Sequence, residues 1–493
     1  MKKLIILLAG VIMLNACELD LQPESQLTYN GFWESEEAVK AAHTGIMAAY
    51  RGYAGTFFQM GELRSDVWGG NTIESPYGTD LIENNISSTV VHFSNWANLY
   101  GFIHYLNDFI KNAPDVTFAR PSDLDHLLGQ VHGIRAHVYY TMVRAWGDVP
   151  ITTEPLLEVD LVKLKKKRSP KSEVMQLIKS DIAKSLEYFG DDNTLWLGRN
   201  VFWSKGATLA LKGDVYLWSG KVLGGGNADF TEAMTALEAI TGFELVTWDK
   251  LWGQGNENNK EFIFAFDYQK DQASNFYGNF TGRAVDIRPM FDDSGNAMTG
   301  YVINGASRYG PTDKTLLLID DLNDARRNTF LRLYSDGAGH IPYVAGESTY
   351  QGAVLNKFLG IVDVDNLRKD YNNVPLYRYA DVLLMLAEAK NNLSQDPSLE
   401  INAVRQRAYG ANYGVPYIYT NGTQAENAKA ILDERMKEFI GEGKRWWDLV
   451  RAGGTFVFDE VATMNPGEAY KIYYSISQGM LADDSELIQT EGY

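Results

Sequence analysis

The side chains best suited to chemistry in this sequence are rings and polar groups set in irregular stretches. Asp66-Val67-Trp68-Gly69-Gly70-Asn71 runs on towards Tyr77, flanked by Gly and Asn. A later stretch holds Tyr268, Asn275, Phe276, Tyr277, Asn279, Phe280 and Arg283, then Tyr301 and Tyr309. Neither stretch shows helix or strand periodicity, so core burial explains these rings least. A flat exposed ring covers the C–H face of a pyranose, and neighbouring polar groups fix its hydroxyls. Trp68, Tyr77, Tyr277, Arg283 and Tyr301 are therefore the candidate ligand-binding residues. Replacing Trp68 and Tyr277 by Ala is expected to weaken saccharide binding without unfolding the chain.

No catalytic constellation competes with that reading. His126, His132 and His137 fall on one predicted helix, but their spacing scatters them around it. The sequence has no His-Glu-x-x-His pair, no Gly-x-Ser-x-Gly elbow and no phosphate-binding Gly loop. Asp292-Asp293-Ser294-Gly295-Asn296 is rich in oxygen but lacks the full spacing of a calcium loop, and reads as a turn. The 63 acidic residues offer many carboxylate pairs for glycoside hydrolysis, and nothing singles one out. The expectation is a binding protein without catalytic residues, metal or cofactor. A surface glycoside hydrolase is the alternative, and a scaffold that engages another protein through its helices is a third reading.

Composition narrows the partners. With 45 Lys and Arg against 63 Asp and Glu, the net charge is −18. Such a chain repels phosphate backbones, so general nucleic-acid binding is not expected. Aromatic residues make up 12% of the sequence. Cys17 is the one cysteine, so no intrachain disulfide can form.

The elements that must position these residues read as mainly α. Helix spacing runs over Ser35–Tyr53, Trp96–Ile110, Pro121–Trp146, Ser172–Phe189, Ser204–Leu223, Asp229–Ile240, Tyr379–Leu393, Pro397–Tyr409 and Ala425–Val450. Ala210, Gly213 and Tyr216, followed by Phe230, Ala233 and Leu237, resemble a tetratricopeptide hairpin, in which small residues let two helices approach. The expected fold is a tetratricopeptide-like scaffold of helical hairpins over 17–242 and 376–466. A loop-rich, ligand-facing insertion with a few short strands, Glu261–Phe266 among them, occupies about 243–375. Lys165-Lys166-Lys167-Arg168 reads as a solvated loop, and Trp146-Gly147-Asp148-Val149-Pro150 as a helix stop.

The first residues read as an address. Met1-Lys2-Lys3 precedes an apolar run from Leu4 to Leu14, too short to span a bilayer and suited to a signal peptide over 1–16. Leu14-Asn15-Ala16-Cys17 resembles a bacterial lipobox, which implies a lipid on Cys17 and membrane attachment through it.

In order along the chain stand Leu19-Asp20-Leu21-Gln22-Pro23, Phe32-Trp33, Arg135-Ala136-His137-Val138-Tyr139-Tyr140, Trp146-Gly147-Asp148-Val149-Pro150, Leu211-Lys212-Gly213-Asp214-Val215-Tyr216, Tyr379-Ala380-Asp381-Val382-Leu383-Leu384-Met385 and Glu442-Gly443-Lys444-Arg445-Trp446-Trp447-Asp448. This series resembles the SusD/RagB family of outer-membrane nutrient-binding lipoproteins across nearly the whole chain after Cys17. The resemblance implies a protein on the outer membrane, facing the cell exterior. It implies capture of oligo- or polysaccharide, or of peptide in some members, and delivery to a SusC-like TonB-dependent transporter. The motifs themselves read as structural, with Glu434 and Glu438 expected to form buried ion pairs with Arg435 or Arg445.

Overall fold

The computed structural model describes residues 32–493 apart from 77, 91, 158–164 and 304. The leader, Cys17 and Tyr77 lie outside the described residues. The fold is mainly α and tetratricopeptide-like, with short strands gathered between the helical parts.

The N-terminal half runs α1 (Glu36–Gly52), α2 (Ala54–Glu62), α3 (Ala97–Asn112), α4 (Pro121–Trp146), α5 (Lys171–Phe189), α6 (Lys205–Val222) and α7 (Gly226–Glu238). The C-terminal half adds α8 (Tyr379–Asn392), α9 (Ser398–Tyr409), α10 (Gln424–Phe439) and α11 (Arg445–Ala452). Local chemistry fixes several starts. Ser35 Oγ accepts the Ala38 N–H ahead of α1, and Glu36 and Glu37 complement the helix dipole. Thr423 and Glu426 form a reciprocal capping box on α10. Gly147, at φ 71°, stops α4.

The hairpin expected from the small residues is present. A Cβ at Gly213 of α6 would run into Leu237 of α7, and one at Gly220 would run into Phe230. Between α4 and α5, Arg135 and His132 both reach Asp181, at 2.7 and 2.9 Å. The three histidines of α4 have separate neighbours. His126 faces Asp192, His132 faces Asp181, and His137 takes the Tyr50 hydroxyl at 2.7 Å. They share no site.

The stretch expected as one helix over Ala425–Val450 is two. The break falls at Gly441 and Gly443, with φ of 85° and 72°. Those angles lie in the left-handed region that Gly enters freely. Glu62, buried at the end of α2, accepts both glycine N–H groups at 2.7 Å. A Cβ at Gly61 would collide with the Gly443 carbonyl. The break is where α2 meets the α10–α11 corner.

Strands β1 (Trp68–Gly70), β2 (Phe262–Phe266), β3 (Phe291–Asp292), β4 (Gly310–Pro311), β5 (Phe330–Tyr334), β6 (Tyr350–Leu355), β7 (Ile361–Val362), β8 (Arg368–Lys369) and β9 (Val374–Arg378) form small antiparallel sheets. β2 pairs with β9, which leads directly into α8. β1 pairs with β4, which ties residues 68–70 to the middle of the chain.

Buried charge joins these parts. Arg378, at the end of β9, meets Glu261 and Glu438 at 2.6 Å and Glu442 at 2.8 Å. Arg326 reaches Asp324 at 2.7 Å and Glu434 at 2.6 Å. Arg407 pairs with Glu438, and Lys357 with Glu442. Arg435 pairs with Asp381 and Asp448, each at 2.8 Å. Buried ion pairs are thus present as expected, but with different partners. Glu434 and Glu438 meet arginines from β9, α9 and the 324–327 turn rather than Arg435 or Arg445. Residues 434 and 438 share one face of α10, while Arg435 points towards α8 and α11.

Removing one member of such a set leaves opposite charges buried without compensation, which costs about 3–5 kcal/mol. Glu438→Gln is expected to lower unfolding free energy by about that amount in urea titration. Gly61→Ala is expected to lower Tm through the clash with the Gly443 carbonyl, and an unchanged Tm would contradict the close approach.

Candidate functional site

The β1–β4 ribbon is built from glycine because its backbones touch. A Cβ at Gly70 would strike the Pro311 carbonyl, and one at Gly310 the Asn71 carbonyl. Gly69 has φ 126°, again open to Gly. Beside this ribbon lies a cleft of about 510 Å³ between residues 65–83, 308–314 and 460–463. That volume suits a small or medium ligand.

A cluster of buried rings backs one wall. Tyr309 stacks on Phe280 with centroids 4.7 Å apart, and Phe280 packs on Trp68 at 4.9 Å. The opposite part is charged. Asp66 accepts Arg445 of α11 through both oxygens, at 2.8 and 2.9 Å. Lys314 lies 2.7 Å from Asp66 and also pairs with Glu460. Burial alone would raise the Asp66 carboxyl, but Arg445 first and then Lys314 hold it below the ordinary value. Thr312 and Thr315 donate their hydroxyls to the Asp66 carbonyl. The cleft is held in shape before any ligand arrives, which lowers the ordering cost of binding.

The sequence-expected residues fare unequally. Trp68 lines the cleft, yet it is only 2% exposed and its indole N–H donates to Glu62 at 3.1 Å. Tyr277 is fully buried, stacked on Phe358 at 4.0 Å, with its hydroxyl donating to the Gly441 carbonyl at 2.7 Å. Tyr301 is 8% exposed, and its hydroxyl donates to the Thr281 carbonyl. These three rings are core, not open platforms, because each polar tip is used inside the protein. The expectation that Trp68 and Tyr277 could be truncated without harm to folding is therefore corrected.

Arg283 is half exposed and paired with Asp286 at 2.6 Å and Glu74 at 3.4 Å. It is not among the residues lining the cleft. Tyr77 follows Pro76, which does line it. The structure adds Arg308, Tyr309, Lys314, Glu460 and Thr463. The sequence offered a signal only for Tyr309, a ring in an irregular polar stretch. The Asp292 turn closes on itself, with Asp292 accepting the Ser294 and Asn296 N–H groups. Among the described residues no acidic, His or Cys cluster could hold a metal, and no helix is long and apolar enough to cross a membrane.

Glu62 links this site to the α10–α11 corner. Burial pushes its carboxyl up to about 7, against the N–H groups of Gly441, Gly443 and Trp68, which favour the charged form. A raised acid binds its proton more tightly in the folded state, so this contribution to stability falls as pH rises from about 4.5 to 7. Relative to Glu62→Gln, the native chain is expected to lose Tm between pH 5 and 8; a pH-independent difference would rule this out. Trp68→Ala is expected to cost about 3–5 kcal/mol in the same unfolding assay.

A family model described as the SusD family matches residues 325–493. Another, described as starch-binding and associating with the outer membrane, matches residues 19–217. SusD-like protein P38 of Formosa agariphila is 28% identical over 482 residues, 90% of either chain. The crystal structure of a SusD superfamily protein from Bacteroides fragilis is 32% identical with a TM-score of 0.85, over 94% of this chain and 100% of that one. A laminarin-binding SusD-like protein shares the fold at 21% identity, with a TM-score of 0.71 over 93% of this chain and 100% of that one.

Proposed function

We propose a function from one premise: this chain belongs to the SusD superfamily. It is a non-enzymatic glycan-binding lipoprotein on the cell surface. It captures oligo- or polysaccharide and passes it to a SusC-like TonB-dependent transporter in the outer membrane. The lipid sits on Cys17, and the described part of the chain faces the exterior.

The observation that carries this reading is the 510 Å³ cleft beside the glycine ribbon. Thr72, Arg308, Lys314 and Glu460 line it and offer polar and charged partners to sugar hydroxyls. The starch-binding description of the N-terminal family model and the laminarin-binding neighbour agree with such a ligand. Capture is an equilibrium, and a ligand held too tightly could not be handed on. Moderate affinity from several weak contacts fits that task.

The chain from residue 18 onward contains every described residue and can be screened by affinity electrophoresis against a polysaccharide panel. Retardation by at least one polymer, without release of reducing ends, is the expected result. Tyr77→Ala and Arg308→Ala are expected to weaken that retardation about tenfold. Polymer breakdown would replace capture by hydrolysis, and retardation indifferent to both variants would move the site elsewhere.

A further inference from the structure

A larger cleft, of about 920 Å³, lies between the Trp146–Asp148 turn, residues 167–171 and the C-terminal tail from Ala469. Nothing in the capture reading uses it. Its frame is built by Arg168, from the run expected to be a solvated loop. That guanidinium donates to the carbonyls of Asp148 at 2.7 Å, Trp146 at 2.7 Å and Ile488 at 3.0 Å. It thereby joins the turn, the basic segment and the tail. Asp148 accepts the Lys171 N–H at 2.8 Å and fixes the start of α5.

The lining has the features that the buried rings of the first cleft lack. Tyr470 and Tyr473 both line the cleft and remain half-buried. Gly147 passes beside the Tyr473 ring, which lies 3.5 Å from where a Cβ would stand. Lys171 holds its ammonium 3.5 Å from the Tyr473 hydroxyl and 5.4 Å from the ring centre. Among the described residues, the contacts of that ammonium are to Tyr473. Lys167 is 81% exposed, with only a 3.9 Å contact to Glu486. Arg168 spends its hydrogen bonds on neutral carbonyls. The cleft thus sets Lys167 and Lys171 beside two half-buried rings, with Glu486 and Glu491 elsewhere on its lining.

From this juxtaposition we infer that the cleft is a second saccharide site, selective for a sugar residue that carries a carboxylate, such as a hexuronate. The inference rests on the glycan-binding reading above. The sugar ring lies on Tyr473, and its carboxylate faces Lys171 and Lys167. A charge-assisted bond to an ammonium is stronger than one to a neutral donor, and the stacked ring supplies the remaining contact. A neutral sugar could use the rings but would leave the cations unmatched.

The test is affinity electrophoresis of the chain from residue 18 in gels holding polygalacturonate or alginate, with laminarin and starch as neutral polymers. The native chain should be retarded by at least one uronate polymer. Lys167→Ala with Lys171→Ala should weaken that retardation about tenfold and leave retardation by a neutral polymer unchanged. Added salt should weaken only the uronate interaction. Tyr473→Ala should weaken it as well; if that variant fails to fold, the lysine pair carries the test. Retardation by a neutral polymer and by neither uronate would overturn this inference and leave glycan capture standing. Uronate retardation equal in native and lysine variants would also overturn it. Retardation by no polymer would remove both readings.

Discussion

Glu438 sits where the most separate parts of the chain meet. It is fully buried on α10, with Arg378 from β9, Arg407 from α9 and Arg326 from the 324–327 turn around it. Burial alone would raise its carboxyl, but Arg407, Arg378 and Arg326 hold it far below the ordinary value. A carboxylate in that position is tolerable only if those guanidinium groups arrive together. The helical part and the strand-bearing part are therefore assembled around the same charges.

Two further buried contacts tie the first cleft to the same helices. Arg445 opens α11 and grips Asp66, so the 66–71 segment is registered against the helical array. Glu62 grips the N–H groups of Gly441 and Gly443, so the break between α10 and α11 is registered against α2. Trp68 shares that carboxylate. The cleft floor is thereby tied to the helical core through buried hydrogen bonds and an ion pair.

Much of the scaffold was legible before any coordinates. Helices α1, α3–α9 follow from apolar spacing, and their ends from Ser35, Ser204 and Gly147. The α6–α7 hairpin follows from Ala210, Gly213 and Tyr216 ahead of Phe230, Ala233 and Leu237; the close approach of Gly220 to Phe230 came from the structure. Helix α2 was not legible, since Ala54–Glu62 is short and apolar with no capping signal. The break at Gly441–Gly443 was hidden because helix spacing continues on both sides of it. The candidate site was legible only in part. Residues 66–71 and Tyr309 stood out, while Lys314, Glu460 and Thr463 did not, because no local pattern joins segments so far apart.

The sequence by itself determined the family, the mainly α scaffold and the kind of chemistry to seek, since these depend on local periodicity and on ordered motifs. It could not decide which rings face solvent. Trp68, Tyr277 and Tyr301 lie in irregular segments, as expected of binding rings, yet their polar tips are consumed by Glu62, Gly441 and Thr281. Tyr470 and Tyr473 lie in an unremarked tail and stay half open. Burial is settled by partners distant in the chain, and only the tertiary structure brings those partners within hydrogen-bond reach.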